Sequence, residues 1–70
     1  MQKLSKAAIG RSDTIQWMFG VPEVMDFLRE HHVEEGDNIQ IIRKLKDALI
    51  VGVKGSRFAM GNEIADRIQV

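Results

Sequence analysis

The chain has no cysteine among its 70 residues, which rules out a disulfide staple and any thiolate metal cage. It has no tyrosine either, and aromatic residues make up only 6% of it. That is too few to build the aromatic-lined groove with which SH3-type modules usually grip proline-rich peptides. Neither sign of charge dominates, since ten Lys and Arg balance ten Asp and Glu. A domain that holds nucleic acid through its phosphates carries a basic excess, so nucleic acid is not an expected partner. The longest unbroken apolar stretch, Ala48-Leu49-Ile50-Val51, is four residues, against the roughly 20 that a membrane helix needs. No apolar segment follows Lys3 and Lys6 in the manner of a secretory leader. With one proline and no Ser-rich tract there is no linker, so a single domain over residues 1–70 is expected, near the lower size limit for folding without a staple. The expected setting is cytoplasmic, with any membrane reached only through a partner.

What the chain does have is 44% apolar residues in short, well-punctuated runs. Asp13 to Phe19 alternates as a strand, with Ile15, Trp17 and Phe19 on one face, which assigns Trp17 to the core. A shifted register would instead expose Trp17 or Met18 beside Met25 as an apolar contact patch. Pro22 suits a first helical position, and Val21, Val24, Met25 and Leu28 recur at helical spacing, so a helix is expected over Pro22 to His31. Phe27 falls off that stripe and is the residue expected to face a partner, together with Met25 and Leu28. Glu34 to Asn38 is a turn in which Gly36 supplies a positive φ. Strands follow over Asn38 to Leu45 and Ala48 to Lys54, the latter with a bulge or bend expected at Gly52. A turn at Gly55-Ser56, a strand from Arg57 to Met60, a short helix capped by Asn62, and a last strand from Ile68 to Val70 complete the order. The expected fold is mainly β with short helices, a small SH3-like barrel with a helix inserted after its first strand. A barrel of this size has little interior beyond its own side chains, which favours a binding module over an enzyme.

No catalytic constellation is present. Ser5, Ser12 and Ser56 lack the surroundings of a nucleophile elbow. Gly52-Val53-Lys54-Gly55-Ser56 ends like a phosphate loop but lacks its spacer and the helix that must follow. The two histidines, His31 and His32, lie side by side near Glu30, Glu34 and Glu35. Imidazole and carboxylate suit Fe(II) or another transition metal, which makes the pair the candidate metal site. Adjacent helical residues point about 100° apart, however, so the plainer reading is two imidazoles at a helix C-terminus.

Three segments carry a family resemblance: Pro22-Glu23-Val24-Met25-Asp26-Phe27-Leu28, then Val33-Glu34-Glu35-Gly36-Asp37-Asn38-Ile39-Gln40-Ile41-Ile42, then Leu49 to Gly61 followed by Ile64-Ala65 and Ile68-Gln69-Val70. In order and spacing they resemble the ferrous iron transport protein A (FeoA) family, whose domain is also similar to the SH3-like domain of iron-dependent repressors. Two positions depart from its pattern. His32 stands where the family usually has Gly after the helix, and Glu35 where it often has Pro before Gly36. A left-handed backbone at His32 would cost strain that Gly avoids, which puts the geometry of the helix exit in question. The resemblance implies a cytosolic accessory protein of bacterial ferrous iron uptake that contacts the cytoplasmic GTPase-bearing part of a FeoB-type permease. The alternative it implies is a metal-sensing regulatory domain. No cofactor is implied beyond a weak contact with Fe(II) or a similar ion.

Overall fold

The computed structural model describes all residues, Met1 to Val70. A 3-10 turn at Leu4–Lys6 precedes β1 (Ser12–Thr14), β2 (Trp17–Met18), α1 (Pro22–Glu30), β3 (Asn38–Lys44), β4 (Ala48–Val53), β5 (Ser56–Gly61), α2 (Asn62–Ala65) and β6 (Ile68–Gln69). The order of elements is the expected one except that the first expected strand is split into β1 and β2. The ladders form a four-stranded antiparallel sheet in the order β1-β3-β4-β5, and a separate two-stranded sheet of β2 and β6. The expected barrel is corrected on this point, because the ladders do not join into one closed ring.

The expected strand from Asp13 to Phe19 is broken into two pieces, and the break explains the misplacement of Trp17. Ile15 is held by the β3 approach, donating to the Asp37 carbonyl (2.8 Å) and accepting from the Gly36 N–H (2.8 Å). One residue later Gln16 donates to the Gln69 carbonyl at 2.8 Å. The chain therefore turns a corner and leaves one sheet for the other. Ile15 stays buried at 1% exposure, but Trp17 emerges outside at 51%. There it stacks on Phe19 at 4.7 Å, with the Arg67 guanidinium 5.5 Å from the Phe19 ring centre. The core reading of Trp17 is wrong because period-two alternation does not survive a change of sheet.

The bulge also lies elsewhere than expected. Between Ile41 and Arg43 the β3–β4 register slips by one residue, so the extra residue is Ile42, on the strand opposite Gly52. Ile42 Cδ1 lies 3.3 Å from the position a Cβ on Gly52 would take, so the glycine makes room for a partner's bulged side chain rather than bending its own strand. The β4–β5 turn is shifted too. Lys54 (φ 52°) and Gly55 (φ 80°) are its two central residues, a type I′ geometry that matches the twist of the strands it joins.

Alternation puts Ile39 and Ile41 of β3, and Leu49, Val51 and Val53 of β4, on the inner face, where each is buried. Met60, Ile68 and Leu28 close the core from β5, β6 and α1. Leu4 and Ala7 plug its other end at 0% exposure. Each fully buried Leu or Ile contributes about 1.5–3 kcal/mol, and with no staple this cluster carries the fold.

Candidate partner-binding groove

α1 begins as its sequence dictates. Val21 is extended, its carbonyl accepts from Val24 (3.0 Å) and Met25 (3.2 Å), and Pro22 occupies the first turn, where it forfeits no bond. The helix ends in a Schellman motif. The Val33 N–H reaches back to the Leu28 carbonyl at 2.9 Å, and the His32 N–H to the Arg29 carbonyl at 3.0 Å. The motif requires a left-handed residue between them, and His32 supplies it at φ 57°. The helix exit thus keeps its geometry without the glycine, at the cost of a strained histidine. Leu28 and Val33, both buried, make the apolar contact that accompanies this cap.

The two sides of α1 differ. On one side Phe27 does not face outward as expected. Its ring packs edge-on to Phe58 (6.1 Å between centres, 61°), and the His31 ring lies 4.3 Å from each of them. The position off the Val24–Leu28 stripe turns Phe27 toward β5 rather than toward solvent. The His31 Nδ1 donates to the Phe27 carbonyl at 2.9 Å, since a backbone carbonyl can only accept. His31 is therefore held by packing and by that bond.

On the other side, between β2 and the exit of α1, lies a groove of about 480 Å³. Met18, Met25, Leu28 and Val33 supply its apolar surface, and Arg29, His32, Glu34 and Glu35 its rim. The rim is braced from both ends. The Glu35 carboxylate accepts the Met18 N–H at 3.1 Å, which ties β2 to the turn. Lys54 donates to the His32 carbonyl at 3.0 Å and pairs with Asp37 (3.3 Å) and Glu34 (3.6 Å), which ties the hairpin tip to the helix exit. Arg29 is paired with Asp26 at 2.8 Å. Two half-buried methionines on a braced rim form an apolar surface that can remould to a partner, because the unbranched thioether has several rotamers of similar energy.

Of the residues singled out from the sequence, Met25 and His32 line this groove, Leu28 lies buried beneath it rather than facing a partner as expected, and Phe27 and His31 lie on the opposite side of the helix. The two imidazoles thus go to different surroundings, and no three His, Asp or Glu side chains converge as a metal-binding group. Met18 reaches the groove beside Met25 as the shifted-register alternative has it, whereas nothing in the sequence marks Val33 and Glu35 as groove residues. The signal for Met18 was its place next to Trp17 at a corner, where an exposed tryptophan implies an inward-turned neighbour.

The chain is a small domain of mainly β structure with short helices, with a groove of mixed polar and apolar lining beside its inserted helix. The family model described as the FeoA domain matches residues 2–70, and the chain belongs to that family, which is one of ferrous iron transport. A crystal structure of an iron uptake regulatory protein, FeoA, is 25% identical, with a TM-score of 0.84 over 94% of this chain and 89% of that one. The FeoA of Stenotrophomonas maltophilia, solved with zinc and described as a prokaryotic SH3 domain protein, is 22% identical, with a TM-score of 0.83 over 100% and 89%. A manganese-dependent transcriptional repressor shares the fold at 13% identity, with a TM-score of 0.87 over 96% of this chain and 39% of that one. No curated protein sequence matches the chain.

Proposed function

We propose that this chain is a cytoplasmic accessory protein of ferrous iron uptake, and that it acts by docking on the cytoplasmic GTPase-bearing part of a FeoB-type ferrous iron permease. The observation that carries the reading is the groove beside α1, with Met18 and Met25 on its apolar surface and a rim tied by Glu35 and Lys54. Family membership supplies the transport context. No helix is long and apolar enough to cross a membrane, so this reading has the chain meet the membrane through its partner. The role is that of a module which binds and regulates, not that of an enzyme.

Met25 and Met18 contribute the contact in this reading, while Leu28, buried at 1% exposure, and Phe27 act behind them by fixing the helix against the core and β5. The test is titration of the permease's purified cytoplasmic portion into the chain, followed at the methionine methyl groups by NMR. Saturable shifts at Met18 and Met25 are expected. Their absence under reducing, low-salt conditions would overturn the reading. Metal contact in this reading is made by single imidazoles, His32 at the groove or His31 through Nε2, since the Nδ1–H bond of His31 to a carbonyl leaves Nε2 with its lone pair. An anaerobic Fe(II) titration followed at both imidazoles checks this: saturable shifts at one or both rings are expected, and no shift at either would contradict it.

A further inference from the structure

β5 ends the four-stranded sheet with no strand beside it. Its pairing with β4 starts at Val53↔Ser56 across a two-residue turn. That geometry makes Ser56, Phe58 and Met60 exchange bonds with β4, and turns the N–H and C=O of Arg57 and Ala59 outward. Neither residue makes a backbone hydrogen bond elsewhere in the molecule, and both are exposed. Sheet edges in natural proteins are blunted by proline, a bulge, an inward-pointing charge, a charged edge side chain or a covering element. β5 has no proline and no bulge, its inward residues are Phe58 and Met60, and the one charge it carries is the outward Arg57.

We propose that β5 is a self-association edge, on which a second copy of this chain pairs its own β5 antiparallel about a two-fold axis at Ala59. The charge pattern selects this occupant. Pairing about Ala59 sets Arg57 of one copy opposite Gly61 of the other. Gly61 has no side chain, and the Glu63 carboxylate fills the space of its missing Cβ, so that a Cβ there would collide with it. Residues directly opposite one another share a face, with Cβ positions about 4.5–5.5 Å apart. The Arg57 guanidinium of each copy therefore meets the Glu63 carboxylate of the other, and symmetry makes the contact twice. Within one chain neither Arg57 nor Glu63 has an ion-pair partner, and both are exposed. A register centred one residue earlier pairs Arg57 with Ala59 and leaves Gly61 opposite the turn, so the Ala59 register alone uses the full edge and places the opposite charges together.

Sedimentation equilibrium on the full chain tests this. The mass should rise from 7.9 kDa toward twice that value as concentration approaches about 1 mM. Arg57→Glu should weaken association about tenfold or more by setting like charges across the axis, and Arg57→Glu combined with Glu63→Arg should restore it. Ala59→Pro removes only an outward N–H and should give a monomer with an unchanged circular dichroism spectrum; if that variant unfolds, the charge reversal and its rescue decide. A mass of 7.9 kDa at every concentration overturns the proposal. So does a dimer whose strength is unmoved by Arg57→Glu.

Discussion

The two flanks of α1 put the same helix to opposite uses. The flank toward β5 is closed, with Phe27, His31 and Phe58 against one another and one imidazole nitrogen tied to the backbone. The flank toward β2 is open, its methionines facing a groove whose rim alone is tied down. A nine-residue helix is too short to be stable by itself in water, so one flank has to be committed to packing before the other can be left free. The closed flank holds the helix; the open flank is the one the proposed docking would use.

Leu28, shared by the core and the groove, gives the largest effect. Leu28→Ala should cost about 2–5 kcal/mol, set against the whole stability expected of a 70-residue domain, roughly 4–10 kcal/mol. Chemical denaturation should find about half the stability gone, and both flanks melting together.

The flanks separate at the next level. Phe27→Ala should lower stability by about 1–3 kcal/mol, less than for a fully buried ring, while leaving the affinity of the folded fraction for the permease portion unchanged. Met25→Gln should do the reverse, moving stability by about 1 kcal/mol or less and weakening binding about tenfold, near 1.4 kcal/mol. Denaturant melts paired with calorimetric titration measure both. If Phe27→Ala weakens binding more than Met25→Gln does, the assignment of the two flanks is reversed.

A smaller gain is expected at the helix exit. A left-handed backbone costs a non-glycine residue about 1–2 kcal/mol, partly offset by the extra freedom glycine brings to the unfolded chain. His32→Gly should therefore stabilise by about 0.5–1 kcal/mol, a rise of several degrees in Tm. Least of all, Lys54→Met should cost about 0.5 kcal/mol, and the difference from the parent should shrink as salt screens the pairs with Asp37 and Glu34.

The sequence carried the element order, the start of α1 and the inward faces of β3 and β4, because each is set by local chemistry: Pro22 at a helix start, alternation along a single sheet, glycines at turns. It did not carry what depends on two distant segments at once. Trp17 was assigned to the core because nothing local marks Ile15-Gln16 as a change of sheet. Phe27 was assigned outward because a helical stripe cannot register that Phe58 will arrive from β5. Gly52 was assigned a bend because its real tenant, the Ile42 side chain, belongs to the neighbouring strand. The groove was legible only in part, through Met25 and the alternative that sets Met18 beside it, since Leu28 lies buried beneath it and the turn residues that brace its rim carry no local signal.

The first and last residues are zipped together. Gln2 and Val70 exchange backbone bonds at 2.9 and 2.8 Å, and Lys3 bridges Gln69. Every partner in the smaller sheet is thus drawn from opposite ends of the chain, and such distant pairings form slowly. Folding should therefore have a late step in which the hairpins of β3 to β5 are already in place while Leu4 and Ala7 still wait for β6, and a lesion at either end should be felt at both.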